Sequence, residues 1–136
     1  MRTPEQILRD STTVAVVGAS RYPEKSAHTV PLQLLRHGWR VIPVNPHAEE
    51  IWGQRCYPTL AAIPEAVDLV NVFRPSADTP TVAREAVAIG ATALWLQQGI
   101  ANEESRATAE AAGMDYVEDH CIAVERAIRE LTKRTG

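Results

Sequence analysis

Val14-Ala-Val-Val-Gly18-Ala-Ser-Arg-Tyr-Pro-Glu-Lys25 decides the fold of this chain. Four apolar, mostly β-branched residues run straight into Gly18, the signature of a buried central strand that ends in a tight turn. Small residues, two bases and a proline follow, and a helix is predicted from about Ser26. A glycine at a strand end lets a ligand come close to the backbone. A helix start behind it offers unbonded N–H groups and the positive end of the helix dipole. Arg21 and Lys25 add mobile positive charge. The stretch suits a phosphate.

The pattern repeats on either side. Thr3-Pro4-Glu5-Gln6 reads as a capped helix start, with a short helix to about Asp10. The first strand is Thr13 to Val17. The second helix runs from about Ser26 to His37 and stops at Gly38, with Val30, Leu34 and Leu35 toward the sheet. Pro31 inside it is tolerable only near the first turn. Trp39 to Val44 is the second strand, and Pro43 within it implies that strand pairing ends there or that the strand lies near an edge. Residues 47–64 carry turn signals and two short helical turns, near Glu49 and Leu60. The third strand is Val67 to Phe73, closed by Arg74-Pro75-Ser76. A helix then starts between Ser76 and Pro80 and ends at Gly90. Ala93 to Leu96 is the fourth strand, Asn102 caps the next helix, Asp115 to Val117 is the fifth strand, and a last helix spans about Cys121 to Lys133.

Strands that alternate with helices imply one α/β domain over residues 1–136, with a doubly wound parallel sheet and right-handed crossovers. The expected strand order is 3-2-1-4-5. Ligands in such sheets bind outside the carboxyl ends where the order reverses, here between the first and fourth strands. Gly18 and Gln97 are then expected to face one crevice, with Asn45 and Arg74 at its border.

Composition narrows the function. The chain has 136 residues, 45% of them apolar, and a formal charge of -3. That is enough apolar side chain for a core, and without a basic run it argues against nucleic-acid binding. Cys56 and Cys121 are far apart and outside any C-x-x-C pair, which fits a reducing, cytoplasmic setting. No apolar run is long enough for a bilayer. The dinucleotide fingerprint G-x-G-x-x-G is reduced to its first glycine, and the second strand ends in Asn45 instead of an acidic residue, so a nicotinamide-dependent oxidoreductase is disfavoured twice. Gly-x-Ser-x-Gly is absent. The four candidate ligands of Glu118-Asp119-His120-Cys121 are consecutive and point in different directions, a poor metal set. Cys121, at a helix start, is the more interesting thiol.

Five pieces occur in order: V-V-G-A-S-R-Y-P-E-K, V-I-P-V-N-P, V-N-V-F-R-P, W-L-Q-Q-G-I and D-H-C-I. Together, over about Val14 to Glu125, they resemble the single-domain CoA-binding proteins, whose domain is similar to the N-terminal domain of the succinyl-CoA ligase α subunit. The resemblance implies a Rossmann-like fold that binds coenzyme A or an acyl-CoA. It implies that Gly18, Ala19, Ser20, Arg21 and Lys25 cradle phosphates. Asn45 and Pro46 would border the adenosine, with Phe73, Arg74 and Pro75 beside it, and Gln97 would lie nearer the pantetheine. Where that family often has Arg before the cysteine, this chain has His120. The ligase's second domain, with its phosphorylated histidine, has no counterpart in these residues. The expectation is a non-catalytic binding, sensing or regulatory module, with a protein partner or a second copy open. A protein-interaction module with a vestigial nucleotide pocket is the other alternative.

Overall fold

The computed structural model describes residues 1–133. Five parallel strands form the main sheet: β1 (Thr13–Val17), β2 (Arg40–Val44), β5 (Leu69–Val72), β6 (Ala93–Leu96) and β7 (Asp115–Val117). Helices α1 (Pro4–Asp10), α2 (Ser26–Arg36) and α5 (Ile122–Ile128) cover one face, and α3 (Thr79–Ala88) and α4 (Glu103–Ala111) the other. Both faces of each central strand are buried, which explains their nearly continuous apolar sequence. Val14, Val16, Leu69 and Trp95 point into the first layer, and Ala15, Val70, Val72 and Leu94 into the second. The last helix stops at Ile128, short of the expected Lys133.

The doubly wound, Rossmann-like α/β class holds, but the strand order differs from the expected 3-2-1-4-5. The sheet runs β2-β1-β5-β6-β7, so its five strands are ordered 2-1-3-4-5. The outer edge of β2 explains why the third strand cannot lie there. Pro43 has no N–H, and its carbonyl points outward to accept from Tyr57 N at 3.1 Å. A residue's N–H and C=O share one side of a strand, so the missing donor also faces outward and a further strand cannot pair fully. Tyr57 instead bridges to Val44, and Asn45 N donates to Tyr57 O at 2.9 Å.

The expected helical turn near Leu60 is present as a 3-10 helix over Leu60–Ala62. The one near Glu49 is not. A hairpin stands there, β3 (Glu50–Ile51) against β4 (Gln54–Arg55). Its turn puts Trp52 at φ 56° and Gly53 at φ 71°. The left-handed pair is the hairpin turn that follows sheet twist, but Trp in place of Asn hides it from a sequence pattern. Trp52 is held there by its indole N–H, which donates to His28 O at 3.0 Å on α2.

With this order the sheet reverses between β1 and β5, so Gly18 meets the end of β5 and not of β6. Gly18 has φ 87°, and a Cβ on it would lie 2.2 Å from the Phe73 carbonyl oxygen. The glycine therefore admits the backbone carbonyl just beyond β5. Gly18→Ala combines left-handed strain with a backbone clash and should cost about 3 kcal/mol or more. Urea unfolding should show the loss, with a melting temperature lower by about 10 °C.

Candidate functional site

The carboxyl end of the sheet carries three adjoining clefts. A cleft of about 680 Å³ is lined by Gly18, Asn45, Pro46, Thr59, Arg74 and Asp78, among others. A second, of about 510 Å³, has Ser20, Lys25, Phe73, Arg74, Pro75 and Gln97 on its walls. A third, of about 300 Å³, has Gly18, Ala19, Ser20, Arg21 and Asn45. Every residue singled out for binding lines at least one of them. Arg74 belongs to the first two, Ser20 to the last two, and Gly18 and Asn45 to the first and third. The expectation that Gly18 and Gln97 face one crevice is corrected by the strand order: Gly18 looks across to Arg74, and Gln97 stands one strand further along.

The loop between β1 and α2 is fixed from both sides. Gly18 N donates to Val44 O at 3.1 Å, so this amide is committed to the sheet. Asn45 Nδ2 donates to Ala19 O at 2.8 Å, and Asn45 Oδ1 accepts from His47 N at 2.7 Å. The Asn45 carbonyl accepts from the Cys56 thiol at 3.5 Å. Burial pushes that thiol above its ordinary range, so Cys56 stays protonated as the donor. Asn45 thus joins the loop, the turn at 46–48 and the strand edge with both its backbone and its side chain. From below, Ser20 N donates to Ala27 O at 3.2 Å, and the His28 ring Nδ1 lies 2.7 Å from Ser20 O.

Several donors remain. The N–H groups of Ala19, Arg21, Ser26 and Ala27 find no acceptor among the described residues. No side chain caps the start of α2, and its first turn holds no acid. Lys25 is exposed at the N-cap, and its ammonium forms no ion pair among the described residues. Arg21 lies over the Tyr22 ring at 5.1 Å and reaches His47 O at 3.4 Å. Arg74 is already paired, with Asp78 Oδ2 at 3.0 Å. Gln97 is buried, and its Oε1 accepts from Ile122 N at 3.2 Å, so it caps α5 as well as lining the second cleft. Cys121 sits at the N-cap of α5 but on none of the cleft walls, and that helix has only seven residues.

The sequence reading missed His47, Thr59, Thr81 and Glu85, which also line the largest cleft. They come from turns and from the middle of α3, where no strand-end rule points. The consecutive Glu118, Asp119 and His120 diverge as expected: Glu118 accepts from Tyr116 Oη at 2.8 Å, Asp119 from Gly99 N at 2.6 Å, and His120 turns back to Glu118 O.

Residues 12–127 match the family model described as a CoA binding domain. The chain belongs to that family. The Bacillus subtilis "Uncharacterized protein YneT" is 37% identical over 124 residues, covering 91% of this chain and 92% of that protein. The ADP-forming acetate–CoA ligase II of Archaeoglobus fulgidus is 30% identical over 127 residues, 91% of this chain but 17% of the ligase. The structure of a hypothetical protein from Pyrococcus horikoshii OT3 superposes with a TM-score of 0.89 at 35% identity, covering 93% of this chain and 92% of that one. The family therefore includes single-domain chains as well as segments of much longer ligases. Among the described residues no helix is long and apolar enough to cross a membrane.

Asn45→Asp keeps the size but turns the donor toward Ala19 O into an acceptor. It should destabilise the protein by about 1–3 kcal/mol, because a buried carbonyl loses its partner and meets a carboxylate. Equilibrium urea unfolding at neutral pH is the check, and Asn45→Ala should fall in the same range.

Proposed function

We propose that this protein binds coenzyme A or an acyl-CoA at the junction of the three clefts, as a non-catalytic binding, sensing or regulatory module of one domain. The observation that carries the reading is the uncapped start of α2. Among the described residues it has no first-turn acid, N–H groups without an acceptor beside it, and Lys25 without an ion pair at its N-cap. An anion there accepts backbone hydrogen bonds and meets the positive dipole end together. Membership of the CoA binding domain family supports the same ligand class.

The walls suggest how the ligand lies. The second cleft is the more apolar, with Phe73, Pro75, Ala27 and Ile100, and suits the pantetheine arm. The largest cleft holds Val17, Pro46, Leu60 and Val82 beside polar groups and suits the adenosine. The pyrophosphate then spans Ala19, Ser20 and Lys25, with Arg21 alongside. A nicotinamide dinucleotide fits less well. Asn45 has both side-chain atoms engaged and offers no carboxylate to the ribose hydroxyls.

Calorimetry with coenzyme A, dephospho-coenzyme A and NAD on wild type and Lys25→Ala tests this. Coenzyme A should bind, added salt should weaken it, and NAD should bind worst. A hydrogen bond to a charged group is worth about 1.5–3 kcal/mol, so Lys25→Ala should weaken coenzyme A about tenfold to a hundredfold. Tighter binding of NAD, or an unchanged Lys25→Ala, would overturn the phosphate site. Turnover of acetyl-CoA or succinyl-CoA by the pure protein, lost on mutating a cleft residue, would overturn the non-catalytic reading.

A further inference from the structure

We infer that the Arg74–Asp78 ion pair is a latch on this site: Asp78 holds the guanidinium in the absence of ligand and releases it to a ligand phosphate, so that Asp78 lowers affinity. The inference rests on the coenzyme A reading above and adds to it a residue that works against binding.

Arg74 is the side chain common to the walls of the two larger clefts. Its stem crosses the point where the sheet reverses, since Cδ lies 3.2 Å from the position of a Cβ on Gly18. The guanidinium is therefore within reach of any anion seated over Gly18 and Ser20. It is held by one hydrogen bond, Nη2 to Asp78 Oδ2 at 3.0 Å, with both side chains half exposed, 49% and 50%. An exposed pair of this kind is held weakly. A phosphate takes two parallel N–H donors from an arginine and is the stronger partner. The exchange therefore favours the phosphate, at the cost of the bond to Asp78.

Asp78 has no evident second task. It stands at the N-cap of α3, yet its carboxylate caps no backbone N–H. It lines the largest cleft together with Glu85, the other carboxylate on that wall, which forms no ion pair among the described residues. His47 is the remaining titratable group there. The two acids make a natural comparison. Both repel an anionic ligand through space, but only Asp78 occupies Arg74.

Calorimetric titration of coenzyme A into wild type, Asp78→Asn, Arg74→Ala, the double variant and Glu85→Gln separates these effects. The Asp78 side chain caps no backbone N–H, so Asp78→Asn removes no cap from α3. Asp78→Ser serves as a second variant, and thermal melts report folding of each. Asp78→Asn should tighten binding about two- to fivefold, and Arg74→Ala should weaken it about tenfold. In the Arg74→Ala background the gain from removing Asp78 should shrink below about twofold, the level expected of Glu85→Gln. No gain from Asp78→Asn and Asp78→Ser, or the same gain without Arg74, would overturn the latch and leave coenzyme A binding standing. A wild-type protein that does not bind coenzyme A would overturn the reading of the site and the latch with it.

Discussion

The close approach of the Phe73 carbonyl to Gly18 is the constraint on which the rest depends. A side chain at residue 18 would stand 2.2 Å from that oxygen, so β1 and β5 share their carboxyl ends only because nothing projects there. Phe73 N donates to Val17 O at 2.8 Å and seals the contact. From this junction the chain diverges, β2 to one side and β5, β6 and β7 to the other. A crevice opens where neighbouring connections part to opposite faces of the sheet. The clefts are thus a consequence of strand order, and strand order at this point needs the glycine.

A second constraint keeps the crevice in shape. The loop at 19–25 has no regular structure, and loops of this kind drift unless their polar groups are tied. Asn45 ties it from the β2 side and α2 ties it from beneath, through Ala27 and His28. Two of these bonds use loop carbonyls, Ala19 O and Ser20 O, one uses the Ser20 N–H, and several N–H groups are left over. The surplus has one sign. An acidic chain, -3 overall, thereby presents a locally positive, donor-rich surface built chiefly from backbone and helix end. Lys25, Arg21 and Arg74 reinforce it, while Asp78 and Glu85 mark its limit on the wall of the largest cleft.

Much of this was legible in the sequence, for physical reasons. Buried parallel strands announce themselves as short apolar runs, and the residues just after them, Gly18, Asn45, Arg74 and Gln97, necessarily gather at one end of the sheet. Order was not legible in the same way. Val67 to Phe73 reads alike beside either neighbour, because both faces of every strand are covered, and a right-handed crossover fixes the layer of the helix but not the side of the sheet. Only Pro43, with its outward gap in the β2 edge, tells against a further strand there, and a proline in a strand marks an end of pairing as readily as an edge. The role of Gly18 was half legible. The need for a missing side chain shows in the sequence, but the group that fills the space comes from residue 73. His47, Thr59 and Glu85 reach the cleft from turns and a helix face, where position along the chain says nothing of position in space.

Pro31 shows how a locally unfavourable residue fits this design. It lies in the second turn of α2, beyond the first turn where proline costs little. A proline there leaves the carbonyl of the residue four before it without its helical donor. That residue is Ala27, and its carbonyl takes the Ser20 N–H instead. The helix thus surrenders one of its own bonds at the place where the loop needs an anchor. Pro31 is itself buried against the core, so the ring contributes to packing while the lost bond is transferred to the loop. Sequences tend to break local rules where a site requires it. By propensity alone, Pro31 marks a flaw in a helix. Set beside Ser20, it leaves the Ala27 carbonyl to hold the loop, one of the ties that give the first residues of α2 and the loop before it a common geometry.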